Sequence, residues 1–172
     1  EERLFRAREL NEAGKSQLAL QELELAEKEK LPRGASAKAR LALARSALQF
    51  SSGDEKAAAK SLDEALKGQP SVASAALMIR ARRALKEDDN KKAKSLFAEV
   101  DRRFPKDSDA DDAAFMVGWI DFKDEKFAEA AESFDAFAKK HLRSRRRDEA
   151  LWYKGLCRLR LGKYVEASLA FD

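Results

Sequence analysis

An alanine returns five times along the chain, each time just after a short turn and the start of a new helical pattern. It is Ala19 in GKSQLAL, Ala58 in GDEKAAA, Ala93 in DDNKKAK, Ala130 in DEKFAEA and Ala167 in GKYVEAS, at intervals of 39, 35, 37 and 37 residues. Four residues beyond each alanine stands a large apolar residue: Leu23, Leu62, Phe97, Phe134 and Phe171. About a turn later comes Ala26, Ala65, Val100 or Phe137, and Pro32, Pro70 and Pro105 each fall near the end of a second helix. A fixed period of this size, holding two amphipathic helices, marks a solenoid whose units bury their apolar faces only by stacking on one another.

Composition agrees. Of 172 residues, 38% are charged and 44% hydrophobic, with only 7 Gly and 3 Pro, which leaves little room for strands. The net charge of +4 is a small imbalance between 35 basic and 31 acidic residues, so it argues only weakly for a nucleic-acid partner. The single Cys157 excludes an intramolecular disulfide, and no CxxC or Cys/His cluster implies a metal or other cofactor. No run of about 18 apolar residues and no signal peptide is visible. The chain opens EERLF without a methionine and closes at AFD inside a helical pattern, so it reads as a piece of a longer polypeptide.

These residues resemble the tetratricopeptide repeat. The match is closest for Gly118, Phe127, Ala130 and Phe134, and for Gly155, Gly162, Tyr164, Ala167 and Phe171. Two middle units keep Ser46, Gly53, Ala58, Leu62, Ala65 and Pro70, then Ala81, Ala93, Phe97 and Pro105, while the first unit is degenerate. The resemblance implies an all-α fold, an α-solenoid of about five antiparallel helix pairs in a right-handed superhelix. It would form one domain over 1–172 with units at about 1–34, 35–71, 72–107, 108–144 and a truncated 145–172. Gly118 in mid-helix then has a physical reason: small residues let paired helices approach closely while Phe127, Phe134 and Phe137 fill the space between. In that family one face of each first helix lines a concave groove. The carry-over points Met78, Arg82, Leu85 and Lys86 inward from one unit, Phe115, Trp119, Phe122 and Lys123 from the next, and Trp152, Leu156, Leu159 and Arg160 from the last. Leu43, Met78, Phe115 and Trp152 stand where chaperone adaptors of the family carry carboxylate-binding Lys and Asn, which argues against a chaperone-tail clamp.

Several apparent motifs dissolve. KDSDADD (106–112) imitates a calcium loop, but Asp112 replaces the required Gly and Gly118 the closing Glu, so Asp107, Ser108 or Asp109 is expected to cap the next helix. His141, the only histidine, has no Cys, Asp or Glu at ligand spacing and reads as a loop-edge residue. Cys157 reads as a packed thiol. Glu132 and Ser133 resemble the Glu-Ser pair of lytic transglycosylase catalytic domains without the segment that should follow. No residue is assigned as catalytic. The run KKHLRSRRR (139–147) sits at a repeat junction; it reads as solvated surface, with Arg143, Arg145, Arg146 and Arg147 as an alternative anion patch. Aromatics that would stack bases are missing from the run, so nucleic acid is not expected.

RLFRARELNEAGKSQLALQELE, and DDAAFMVGWIDFKDEKFAEAAESFDAF with DEALWYKGLCRLRLGKYVEA, are also similar to the superhelical arm of soluble lytic murein transglycosylases and to envelope repeat proteins of the outer-membrane assembly type. The expectation is therefore a non-catalytic interaction or scaffolding module of the bacterial cell envelope, periplasmic, with cytoplasmic as the alternative location. Its partner is a protein or peptide. The alternative function is the arm of a peptidoglycan-cleaving enzyme that guides a glycan strand. Self-association through the uncovered C-terminal end is the remaining partner expectation.

Overall fold

A computed structural model describes residues 2–28 and 35–171. All described secondary structure is helical: α1 (Glu2–Glu12), α2 (Ser16–Lys28), α3 (Ala35–Ser51), α4 (Glu55–Ala65), α5 (Pro70–Lys86), α6 (Asn90–Arg103), α7 (Ala110–Lys123), α8 (Phe127–Lys140), α9 (Arg147–Arg160) and α10 (Tyr164–Phe171). The five repeat alanines fall in α2, α4, α6, α8 and α10, and all five are buried. Leu23, Leu62, Phe97 and Phe134 are buried with them, as are Ala26, Ala65, Val100 and Phe137. Spacings of four and three place these residues on one stripe of each second helix, which is why those helices form against their neighbours rather than alone.

Each pair is closed by the same three-residue turn. The residue five positions before the repeat alanine has positive φ in every unit: Gly14 at 73°, Gly53 at 83°, Asp88 at 62°, Glu125 at 59° and Gly162 at 74°. Two bonds lock the turn; at 124–126 the Glu125 N–H donates to the Phe122 carbonyl at 3.1 Å and the Lys126 N–H to the Asp121 carbonyl at 2.9 Å. That is the paired bonding of a Schellman ending, which needs a left-handed residue and favours glycine there. Asp54 and Asp89 end two of these turns, and each side chain accepts a bond at 3.1 Å from the backbone N–H three residues on.

Two of the prolines are placed. Pro70 is the first residue of α5, where its missing N–H costs nothing. Pro105 lies two residues past the end of α6. Pro32 lies outside the described residues.

The chain forms two compact units, residues 1–76 and 77–172. In the first, α1 packs on α2, α2 on α3 and α3 on α4, and one cluster of its core gathers Ala7, Ala19, Leu23, Ala26, Leu41 and Leu48. In the second, α6, α7, α8, α9 and α10 pack in succession. Its core is aromatic. Phe134 stacks on Tyr153 (5.2 Å, 18°), and Phe115 meets Phe134, Phe137 and Tyr153 at 5.3 to 5.9 Å. A Cβ added to Gly118 would stand 3.0 Å from the Phe134 ring, so that glycine marks a close helix approach as expected.

Candidate partner-binding surface

The first helices α5, α7 and α9 each carry a row of residues eleven and seven positions before the repeat alanine. These are Arg82 and Lys86 on α5, Trp119 and Lys123 on α7, and Leu156 and Arg160 on α9. Arg82, Lys86, Lys123 and Arg160 are exposed, while Trp119 and Leu156 are half-buried. Residues four apart lie on one helix face, which brings the Lys123 ammonium over the Trp119 ring at 5.1 Å. Arg160 lies 6.0 Å over the Phe127 ring of α8. The rows thus present cations backed by aromatic faces.

A second pair of rows, fifteen and eight positions before the alanine, does a different job and corrects part of the expected groove. Met78 is 2% exposed and Phe115 0%, so neither can line an open surface. Phe115 is covered by Tyr153 of the following repeat and by Arg146, whose guanidinium lies 3.5 Å from its ring centre. Phe122 is half-buried against Tyr153 (5.1 Å) and Phe127 (5.7 Å). Trp152 shares the register of Met78 and Phe115 yet is 51% exposed, and Leu159, in the register of Phe122, is exposed too. On α7 these rows face the next repeat, and on α9 they are exposed.

The arginine cluster is also divided. Arg143 and Arg145 are exposed. Arg146 is half-buried, donating to Glu149 at 2.9 Å and to Asp112 at 3.4 Å, and the Arg147 Nε donates to the Ala138 carbonyl at 3.2 Å. Both are engaged in fastening α9 to its neighbours, so a four-arginine anion patch does not form. Asp112 and Glu149 neutralise one of the charges that the run KKHLRSRRR seemed to leave free.

His141 is the larger correction. It is buried at the C-cap of α8, stacked on Phe137 at 4.9 Å, with Nδ1 2.6 Å from Asp111 Oδ1 and Nε2 3.3 Å from Asp101 Oδ1. Asp101 also takes the Lys140 ammonium at 2.6 Å. The approach of Nε2 to Asp101 is close but poorly directed, since neither atom completes a hydrogen bond there. The carboxylates lie 40 and 30 residues upstream, beyond any local spacing rule; the arrangement joins the ends of α6, α7 and α8.

Other polar contacts serve packing. Asp121 is buried in α7, accepts the Lys94 ammonium at 2.7 Å on both oxygens, and ties α6 to α7. No local pattern singles it out. Hydrogen bonds from Lys139 and Lys154 hold the Asp135 carboxyl below the usual carboxylate range, the Lys154 bond linking α9 to α8. Asp109 occupies the N-cap of α7 without a side-chain capping bond; instead Asp107 accepts the Asp109 N–H at 3.1 Å. Burial, with Asp107 nearby, raises the Asp109 pKa. Asp111 and Asp112 sit in the first turn, where negative charge suits the helix dipole. Burial pushes the Cys157 thiol up to about 11, which keeps it protonated and unreactive as a packed thiol should be. No described helix is long and apolar enough to cross a membrane.

A family profile described as YfiO, outer membrane lipoprotein, matches residues 70–168, more than half of the chain and beginning at the first residue of α5. The chain belongs to the YfiO family. Three solved structures share the fold across nearly the whole chain. A crystal structure of MamA is 14% identical, covering 96% of this chain and 90% of that one with a TM-score of 0.65. The TPR-like repeats of a kinesin light chain from Podosopora anserina are 14% identical, covering 98% and 90% with a TM-score of 0.66. Their Q17M form is 15% identical, covering 98% and 89% at 0.65. At such identities the likeness shows the fold alone. A search of curated proteins gave no match. Fold and YfiO family together make this a tetratricopeptide-type helical repeat, the kind of chain that serves as a protein-interaction scaffold.

Proposed function

We propose that the chain is a scaffold of the bacterial cell envelope that holds an acidic, amphipathic peptide segment of a protein partner against the first helices of residues 77–172. The observation that carries this reading is a repeated cation: Lys86, Lys123 and Arg160 each stand seven residues before a repeat alanine and all three are exposed. Trp119 and Phe127 lie beneath two of them, at 5.1 and 6.0 Å. A surface of spaced cations with aromatic floors suits alternating carboxylates and apolar side chains, the cations giving orientation and rate and the aromatics giving affinity. The outer membrane lipoprotein description of the family supports an envelope location. The same reading makes the chain a non-catalytic module, in keeping with the polar contacts described above, which join helices to one another.

Titration with a fluorophore-labelled acidic amphipathic helical peptide, followed by fluorescence anisotropy, tests it. The peptide is expected to bind the parent chain, its Lys-for-Glu counterpart to fail, and the Trp119→Ala, Lys123→Ala double variant to lose binding with its helicity intact. Reversing Arg143 and Arg145 should weaken binding only at low salt, through long-range attraction. Normal binding by the Trp119, Lys123 variant together with failure of the arginine variant would place the functional surface at the basic junction instead.

A further inference from the structure

Three successive helices of the second unit, α6, α7 and α8, leave a trough of about 210 Å³ between them. Ala98, Ala114, Val117 and Ala136 line its length, and Asp101, Lys140 and His141 gather at one end. The His141 side chain is only 7% exposed, and its Nδ1–H donates to Asp111 Oδ1 at 2.6 Å. The neutral ring then presents Nε2 as an acceptor. Asp101 Oδ1 is a second acceptor, 3.3 Å away. Both atoms are buried, and neither has a hydrogen-bond partner in the protein. A buried acceptor without a donor is costly, and two that face each other are costlier. The repeat does not demand them: one repeat earlier, the registers of Asp101, Asp111 and His141 hold Leu66, Ser74 and Phe104.

We propose that this trough binds a primary ammonium on a short alkyl stem, the head donating to Asp101 Oδ1 and His141 Nε2 and the stem lying on Ala98, Val117 and Ala136. Lys140 takes the other Asp101 oxygen, Oδ2, at 2.6 Å and leaves Oδ1 for the ligand. Charge selects the head group. Asp101 and Asp111 bring two negative charges, Lys140 one positive and the neutral imidazole none, so this end of the trough carries a net −1. A monovalent cation cancels that charge, and an amide or an alcohol does not. A free amine and the lysine side chain of a protein partner share this chemistry. The site has no residue in common with the cationic rows of the proposed peptide surface, and either can fail without the other.

His141 is the only histidine, so its two ring nitrogens can be followed without overlap in a long-range proton–nitrogen spectrum of the isotope-labelled chain. Titration with butylammonium chloride is expected to move the Nε2 signal to saturation while Nδ1 keeps its proton. Butanol, which lacks the charge, and tetramethylammonium, which lacks the N–H, should leave the signal in place. Asp101→Asn should weaken amine binding about tenfold or more, the loss of a hydrogen bond between charged groups. Ala136→Leu should block binding by filling the trough without touching either polar atom. Ala136 is exposed, so this variant should keep its helicity, and it decides the matter if Asp101→Asn disturbs the helices. Nα-acetyl-lysine methylamide separates the two sources: binding as tight as that of butylammonium assigns the trough to a lysine side chain, and binding of butylammonium alone assigns it to a free amine. A Nε2 signal that ignores butylammonium overturns the inference, whether a second ring proton or a water joins the two atoms. Binding that survives Ala136→Leu unchanged overturns it as well.

Discussion

In the first compact unit Ala7 and Leu23 occupy the register that Gly118 and Phe134 occupy in the second, and all four are buried. One pair sets a methyl against a leucine and the other a hydrogen against a phenyl ring, while Ala81 and Phe97, buried in the same register, set a methyl against a phenyl ring, so the register pairs small with large without fixing their sum. The difference has a further effect: the Phe134 ring extends far enough to stack on Tyr153 of the following helix pair, a contact that a leucine at this register cannot make. The pair α7–α8 gains coupling to the next pair through this ring, and there the facing position is a glycine whose Cβ would meet the ring at 3.0 Å.

The largest test of that contrast is truncation at the shared register. Phe134→Ala should cost about 3 to 5 kcal/mol, and Leu23→Ala about 2 to 3, because the phenyl ring leaves the larger cavity and loses its stack. Denaturant melts read with amide exchange in each unit would measure both; an equal or larger cost at Leu23 would break the comparison. A smaller effect is expected at the facing position. Gly118→Leu should cost about 1 to 3 kcal/mol by overpacking. Gly118→Ala should show no gain beside Phe134, since its Cβ would press a ring held on both sides, but should stabilise by about 1 kcal/mol in a Phe134→Leu background, where helix propensity acts unopposed. Additive behaviour in that cycle would mean the two positions do not share one volume. The smallest effect lies in the turns. Glu125→Gly should raise stability by about 1 kcal/mol, because a glutamate held at φ 59° carries strain that glycine lacks. A drop in melting temperature would show that the Glu125 side chain makes a compensating contact.

The repeat register was legible because it is local: an alanine, a large residue four positions on and a turn just before are all read within one helix and one loop. Gly118 was legible for the same reason. The burial of Met78 and Phe115 was not, since what covers Phe115 is Tyr153 and Arg146, more than 30 residues away. Resemblance to a grooved family also merges two adjacent rows of one helix that only packing separates, which is how Phe122 and Trp152 came to be grouped with Trp119. His141 failed the spacing rule because its carboxylates come from the ends of two other helices. The run of arginines misled in the opposite direction: two of its four charges are spent on a ring, a carbonyl and two carboxylates.

The left-handed turn inside each pair has a consequence for how such a chain can change length. Three residues join the two helices in all five pairs: 13–15, 52–54, 87–89, 124–126 and 161–163. The joins between pairs that the structure describes are not uniform, running to four residues at 66–69 and six at 104–109 and 141–146. The uneven intervals between alanines thus combine fixed hairpins with adjustable junctions and helices. An inserted residue within a hairpin would break the paired bonds of its left-handed turn, and one within a helix would turn the residues beyond it by about 100° around the axis, whereas a junction can lengthen without disturbing either neighbour. Insertions and deletions in relatives should therefore collect at the junctions, and the exposed segment of Leu142, Arg143 and Arg145 lies in one of them.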